Sequence, residues 1–208
     1  MILFSGTSNK PLALAVAQSL GVTLGDVEIT RFIDNECRVY VVDDVKDTEV
    51  YVIQSLSVVA DQHLVELCLF GQALKDGGAK KVTAVIPWMG YSKQDKAFRP
   101  GEAVSAQLIA KFVEAAGFDA VITVELHSET LLPYFHIPIT ELSTGVLLSQ
   151  ALPRGIDRTQ MVVVSPDTGG KSRSEKFATT MSLPIIYLDK ARNPVTGEVA
   201  VIGISADV

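Results

Sequence analysis

Four short stretches combine acids, cations and glycines where the chain turns: GYSKQDKAFRPGE (90–102), ELHSE (125–129), SPDTGGKSR (165–173) and LDKAR (188–192). In the third, the apolar run Met161 to Val164 ends at Ser165-Pro166, and Asp167, Gly169-Gly170, Lys171 and Arg173 follow, opening a helix-compatible segment. Backbone N–H groups at a glycine turn, a helix N-terminus and nearby cations together favour an anion. A carboxylate at the strand's carboxyl end, Asp167, is a hard oxygen ligand suited to Mg²⁺. The set describes a site for a phosphorylated ligand with Mg²⁺, although an ordinary strand-to-helix turn uses the same residues. His127 reads equally well as a site residue or as a satisfied structural group, and the Lys-x-Arg of LDKAR as a solvated basic end.

The elements that must position these stretches alternate between strand-like runs and amphipathic helical patterns. ILF (2–4) leads to Asn9, a helix N-cap, then Pro11 in the first turn, a helix to Leu20 and a stop at Gly21. VEITRF (27–32) and CRVYVV (37–42) flank Asp34-Asn35 as a hairpin. EVYVIQS (49–55) precedes a helix with apolar positions Leu64, Leu67, Cys68, Gly71 and Leu74 that closes at Gly77-Gly78. After KVTAVIPW (81–88) and a polar loop comes a helix with Val104, Leu108 and Phe112 on one face, ending near Gly117. DAVITVEL (119–126) is a strand, and Ser143 caps a helix running to Leu152. Beyond Pro153-Arg154-Gly155 come MVVVSPD, a helix over about 170–181, PIIYLDK (184–190) and EVAVIGI (198–204). This order predicts an α/β fold with a mostly parallel sheet flanked by helices, and ligands beyond the carboxyl ends of the strands.

Composition narrows the class. With 208 residues, 48% hydrophobic and 20% charged, the chain can bury one large core or two smaller ones. A net charge of -6 argues against a general nucleic-acid binder, which needs a clustered excess of Lys and Arg. Cys37 and Cys68 lack metal-like spacing and read as buried free thiols of a reducing cytosol. No run approaches the roughly 18 apolar residues of a membrane span, and MILFSGTSNKPLA lacks the pattern of a secretory leader, so a cytoplasmic protein without membrane or nucleic-acid partners is expected.

Taken in order, LFSGTSN, RFIDNE, VIQS, VIPWMGYSKQDKAFRPGEAVSAQLIA, VITVELH, FHIP, VVVSPDTGG and LDKAR resemble ribose-phosphate diphosphokinase, across nearly the whole chain. That family makes phosphoribosyl pyrophosphate (PRPP) from ATP and ribose 5-phosphate. The resemblance implies two phosphoribosyltransferase-like α/β domains, 1–142 and a partial one over 143–208, in an assembly ranging from dimer to hexamer. It implies that the hairpin tip, with Phe32, Asp34, Asn35 and Glu36, reaches the ATP site of a neighbouring subunit. The family's Arg-Gln-Asp loop for ATP becomes Lys93-Gln94-Asp95, where Lys keeps the charge but loses the bidentate fork. The family's Asp-Leu-His becomes Glu125-Leu126-His127, which implies that His127 stands near ATP and Mg²⁺. Asp167 is the second implied Mg²⁺ residue, and Lys190 and Arg192 match the catalytic Lys-x-Arg that follows a strand and acts from the mobile segment NPVTGEVA. His136 and Thr140 stand where some members carry cation-binding acids.

Family members continue into a Thr-Gly-Gly-Thr-type loop that cradles the ribose 5-phosphate, whereas this sequence stops at Ala206-Asp207-Val208. Three readings follow. The chain is an incomplete diphosphokinase, a non-catalytic nucleotide-binding subunit of a complete homologue, or another Mg-nucleotide-binding α/β protein. Lys190 and Arg192 favour the first, since a subunit relieved of catalysis needs neither.

Overall fold

The computed structural model of the chain describes residues 1–153, 155–167, 169–192 and 198–205, with Arg192 described in its backbone alone. The chain divides into two compact units, Met1–Leu142 and Ser143–Val208.

The first unit runs β1 (Ile2–Ser5), α1 (Lys10–Leu20), β2 (Val27–Arg31), β3 (Cys37–Val41), β4 (Glu49–Ile53), α2 (Ala60–Asp76), β5 (Lys81–Ile86), α3 (Ser105–Ala115), β6 (Ala120–Val124) and β7 (Ile139–Leu142). Five strands form one sheet in the order β1-β4-β5-β6-β7, every neighbouring pair parallel. Side-chain alternation gives each face its own core. Phe4, Val50, Val52, Val82, Ala84 and Ile86 point to the face covered by α2 and α3, and Leu3 and Ile53 to the face where Ala13 and Ala17 of α1 pack. Local chemistry sets the boundaries of α1: the Asn9 side chain accepts from the Leu12 N–H at 3.3 Å, and Gly21 takes the left-handed conformation (φ 67°) that ends the helix. β2 and β3 pair as the expected antiparallel hairpin, with Asn35 at φ 72° in its turn.

Two expectations need correction. Helix α3 does not bury the Leu108 and Phe112 stripe, which stays 47% and 43% exposed; it buries Ala106, Ile109, Ala110 and Val113 instead. Small residues let α3 lie close, and a β-carbon on Gly71 of the adjacent α2 would meet the Ala116 carbonyl at 2.5 Å, so bulk is shut out there. Strand β7 was not expected; its ITEL sequence is too short for alternation to stand out, and a 3₁₀ helix, Glu129–Tyr134, precedes it.

The second unit holds α4 (Gly145–Ala151), β8 (Val163–Ser165), α5 (Lys171–Met181), β9 (Ile185–Arg192) and β10 (Val199–Ile204). Its sheet order is β10-β9-β8, with β8 and β9 parallel and β9 and β10 antiparallel. Ser143 Oγ accepts from the Gly145 N–H at 3.2 Å at the start of α4. Among the described residues its buried side chains are few, Ser165, Ala178, Met181 and Ile186, while Val199, Val201, Ile202 and Ile204 are exposed. The strand expected over 184–190 runs on to Arg192, so the whole Lys190-Ala191-Arg192 stretch, matched to a motif that follows a strand, lies within β9, with Lys190 opposite Val201 and Arg192 opposite Val199. Of the expected mobile segment, residues 193–197 lie outside the described residues and 199–200 open β10.

Both cysteines are free but half-buried rather than buried, and burial pushes each thiol above its usual range, with Glu66 adding to the effect at Cys37. Among the described residues no helix is long and apolar enough to cross a membrane.

Candidate functional site

The carboxyl ends of the parallel strands carry the polar groups, and at β1 and β4 they are locked together. Gln54, just past β4, is fully buried, and its Nε2 donates to the Glu66 carboxylate of α2 at 2.8 Å. The same carboxylate accepts from the Thr7 N–H and from Thr7 Oγ1, each at 2.7 Å. Ser8 closes the knot: its N–H donates to Gln54 Oε1 at 3.1 Å, and its Oγ accepts from the Ser55 N–H at 2.7 Å. Gly6 is required at its position, because a β-carbon would stand 2.2 Å from Gln54 Oε1. A buried carboxylate is costly unless several donors satisfy it, and here three do.

Between the β4 and β5 exits lies an open cleft of about 590 Å³ with an apolar floor of Leu56, Val58, Trp88 and Met89 and a polar rim that includes Lys93 and Gln94. The Leu56 N–H donates to the Trp88 carbonyl at 2.9 Å, and Gly90 approaches so closely that a β-carbon would lie 2.4 Å from the Leu56 carbonyl. Tyr91 adopts φ 61°, rare for a residue with a side chain, its hydroxyl donates to the Asp61 carboxylate, and its carbonyl accepts from the Gln94 N–H at 3.1 Å. Lys93 is exposed, and the Gln94 side chain accepts from Ser105 Oγ at the start of α3.

Asp95 joins this loop to the β6 exit. Its carboxylate accepts from Thr130 Oγ1 at 2.7 Å and its carbonyl from the Tyr134 hydroxyl at 2.6 Å. The Thr130 hydroxyl holds the carboxyl below its usual range, against a smaller opposing effect of burial. His127 is exposed on the same exit, between Glu125 at φ 47° and the 3₁₀ helix, and Leu126 is fixed by its N–H donating to Glu141 at 2.7 Å. The structure thus brings Lys93, Gln94, Asp95 and the His127 segment to neighbouring strand exits, with Asp95 acting as a tether.

Phe32, Asp34, Asn35 and Glu36 are all exposed at the hairpin tip, where Ile33 is exposed as well. Asp34 accepts from the Glu36 N–H at 3.2 Å, and Arg31 braces the turn by donating to the Asn35 carbonyl at 2.8 Å and to Gln62 of α2 at 3.0 Å. His136 is engaged structurally: its ring nitrogen stands 3.1 Å from the Glu114 carboxylate, and Thr140 is exposed in β7.

In the second unit Asp167 is exposed after β8, and one carboxylate oxygen accepts from the Gly170 N–H at 2.8 Å, closing the Gly-Gly turn before α5. Lys190 is exposed on β9. Among the described residues no cluster of three or more His, Cys, Asp or Glu forms a ready-made metal cage. Glu66, Gln54, Asp61 and Tyr91 were missed as site-forming residues in the sequence. The pairings Thr7–Glu66 and Asp61–Tyr91 are tertiary; only the unusual glutamate on an apolar helix face hinted at one of them.

In parallel α/β sheets ligands bind beyond the carboxyl ends of the strands, and this sheet carries its polar loops there. A family model of the N-terminal domain of ribose phosphate pyrophosphokinase matches residues 1–117. Ribose-phosphate pyrophosphokinase 2 of Enterococcus faecalis is 38% identical over 191 residues, 91% of this chain and 59% of the relative. Ribose-phosphate pyrophosphokinase of Agrobacterium fabrum is 35% identical over 208 residues, all of this chain and 67% of the relative. The crystal structure of phosphoribosylpyrophosphate synthetase from Mycobacterium smegmatis matches with a TM-score of 0.88 at 32% identity, covering 97% of this chain and 66% of that one. The chain belongs to the ribose-phosphate pyrophosphokinase family, and it spans about three fifths of the length of the Enterococcus relative (59%).

Proposed function

We propose that the chain works in the ribose-phosphate pyrophosphokinase reaction, in the cytoplasm, as a self-associating enzyme built from phosphoribosyltransferase-like units, and that the cleft bearing Lys93 and Gln94 is its ATP site. The observation that carries this reading is that cleft, with an apolar floor fit for a nucleoside and a cationic rim fit for phosphates, within the stretch that matches the family. The hairpin tip, with Phe32, Asp34, Asn35 and Glu36 exposed, serves the cleft of a neighbouring copy.

In the reaction the anomeric hydroxyl of ribose 5-phosphate attacks the β-phosphorus of ATP, the bond from that phosphorus to the α,β-bridging oxygen breaks, AMP leaves, and the hydroxyl proton passes to solvent or base. Lys93 attracts the triphosphate, Gln94 and Asp95 fix the loop, and Lys190 and Arg192 offset charge on the transferring group. Each residue suits Mg²⁺ by its own chemistry: Asp167 offers a carboxylate oxygen beyond the one that accepts from Gly170, and His127 is open to solvent. When bound, Mg²⁺ supplies charge neutralisation on the phosphates, held largely through ATP and water.

The test is titration of the fluorescence of Trp88, the single tryptophan, which lines the cleft, with Mg-ATP, alongside an assay of ribose-5-phosphate-dependent AMP release. A saturable Trp88 response that Lys93→Ala weakens is expected. No response to Mg-ATP, with no calorimetric binding, would overturn the reading.

A further inference from the structure

Helix α2 starts without a side-chain cap: its N-cap is Val59, which offers no acceptor to the free N–H groups of the first turn. The acid of that turn, Asp61, is committed to the Tyr91 hydroxyl on the cleft loop, and the next residue, Gln62, holds Arg31, which in turn braces the hairpin tip through the Asn35 carbonyl. Ala60, at the same turn, lines the cleft. Consecutive residues of one uncapped turn therefore anchor both the cleft loop and the hairpin tip.

An uncapped first turn is the least stable part of a helix, so its order depends on what its side chains grip. Tyr91 is itself held at a positive φ that needs outside support, and its carbonyl sets the Gln94 N–H on the cleft rim.

We propose that Asp61 and Gln62 are positioning residues that couple the two ATP-contacting elements of a chain: fixing the Tyr91–Gln94 loop orders the first turn of α2, and the ordered turn fixes the hairpin tip through Arg31. The proposal deepens the nucleotide reading of the cleft. Filling one copy's cleft would then set the tip that the same copy offers to its neighbour, which is a route for communication between sites.

The test compares amide hydrogen exchange in the nucleotide-free chain for wild type, Asp61→Ala, Asp61→Asn and Gln62→Ala, with amides of β4 and β5 as the control for an intact fold. Asp61→Ala is expected to speed exchange in the cleft loop and also in residues 32–36, which the substitution does not touch, and Asp61→Asn, which keeps an oxygen acceptor for Tyr91, is expected to restore both. Gln62→Ala should loosen the tip and, through the same turn, the loop. Tip exchange unchanged in Asp61→Ala while the loop loosens would overturn the coupling, as would an Asp61→Asn protein no better than Asp61→Ala. In a parallel titration Asp61→Ala should weaken Mg-ATP binding by about tenfold, the scale of one lost hydrogen bond to a charged group. Failure of the wild type to bind Mg-ATP would overturn the nucleotide reading alone, and the exchange comparison would still decide the coupling.

Discussion

Glu66 and Thr7, 59 positions apart, meet through two hydrogen bonds of 2.7 Å that tie the loop after β1 to the buried face of α2. Replacing Glu66, itself 1% exposed, by Ala removes the acceptor of the Thr7 N–H and hydroxyl, which can turn to solvent, and one of the two acceptors of the buried Gln54 Nε2, which keeps the His63 carbonyl at 3.3 Å. A lost hydrogen bond to a charged group costs about 1.5–3 kcal/mol where the donor stays buried, and only Gln54 stays so, so Glu66→Ala should destabilise the first unit by about 1–3 kcal/mol. Urea denaturation of the variant, read on the far-ultraviolet helix signal, measures it; a loss within about 0.5 kcal/mol, the range of ordinary surface changes, would mean the knot contributes little.

Asp95 carries a pH dependence with a defined sign. The Thr130 hydroxyl holds its folded-state carboxyl below the ordinary value of 3.8. A depressed carboxyl contributes stability in full above its unfolded value and loses that contribution as pH falls through the lower folded value. The loop tether is therefore indifferent to pH near neutrality and weakens only in acid below about 3.8. Thr130→Val should move the Asp95 titration, followed by carboxyl-carbon NMR, up toward the ordinary value; an unmoved titration would assign the depression to another group.

Gly90 sets the depth of the cleft. A β-carbon there would press on the Leu56 carbonyl at 2.4 Å and the Leu56 side chain at 2.9 Å, and both belong to the β4 exit. Gly90→Ala should cost about 1–3 kcal/mol through overpacking and lift the loop that carries Lys93. Thermal unfolding checks the first effect and Mg-ATP titration the second. Unchanged values in both would show that the exits can part without penalty.

Much of the framework was legible because its signals are local. Asn9, Pro11 and Gly21 announce α1 by cap chemistry, and Asp34-Asn35 announces the hairpin. The Lys93-Gln94-Asp95 loop was placed at a strand exit by the apolar run before it. Where tertiary packing decides, the sequence was silent or misleading. Leu108 and Phe112 are bulky apolar side chains of α3, yet the face it buries is Ala106, Ile109, Ala110 and Val113, whose two alanines let the helix lie close. The strand reads as ending at Lys190, with Arg192 beyond it, because the pairing that extends β9 comes from β10, whose register with β9 no local pattern reveals. Asp61 and Tyr91 look like ordinary surface residues until the fold brings them together.

The central claim, that ATP sits where the Lys93 loop of one copy meets the hairpin tip of another, is tested most directly by mixing two defective proteins. Asp34 and Glu36 are exposed and make only local contacts, so replacing both with Ala leaves the fold intact and removes the tip's contribution. Lys93→Ala removes the cleft's contribution. Each variant alone should bind Mg-ATP far more weakly than wild type, whereas an equimolar assembly formed by co-expression should regain part of the wild-type binding, because some interfaces then pair an intact cleft with an intact tip. Co-assembled chains that regain no binding, or an Asp34→Ala/Glu36→Ala protein that binds Mg-ATP as tightly as wild type on its own, would contradict the account.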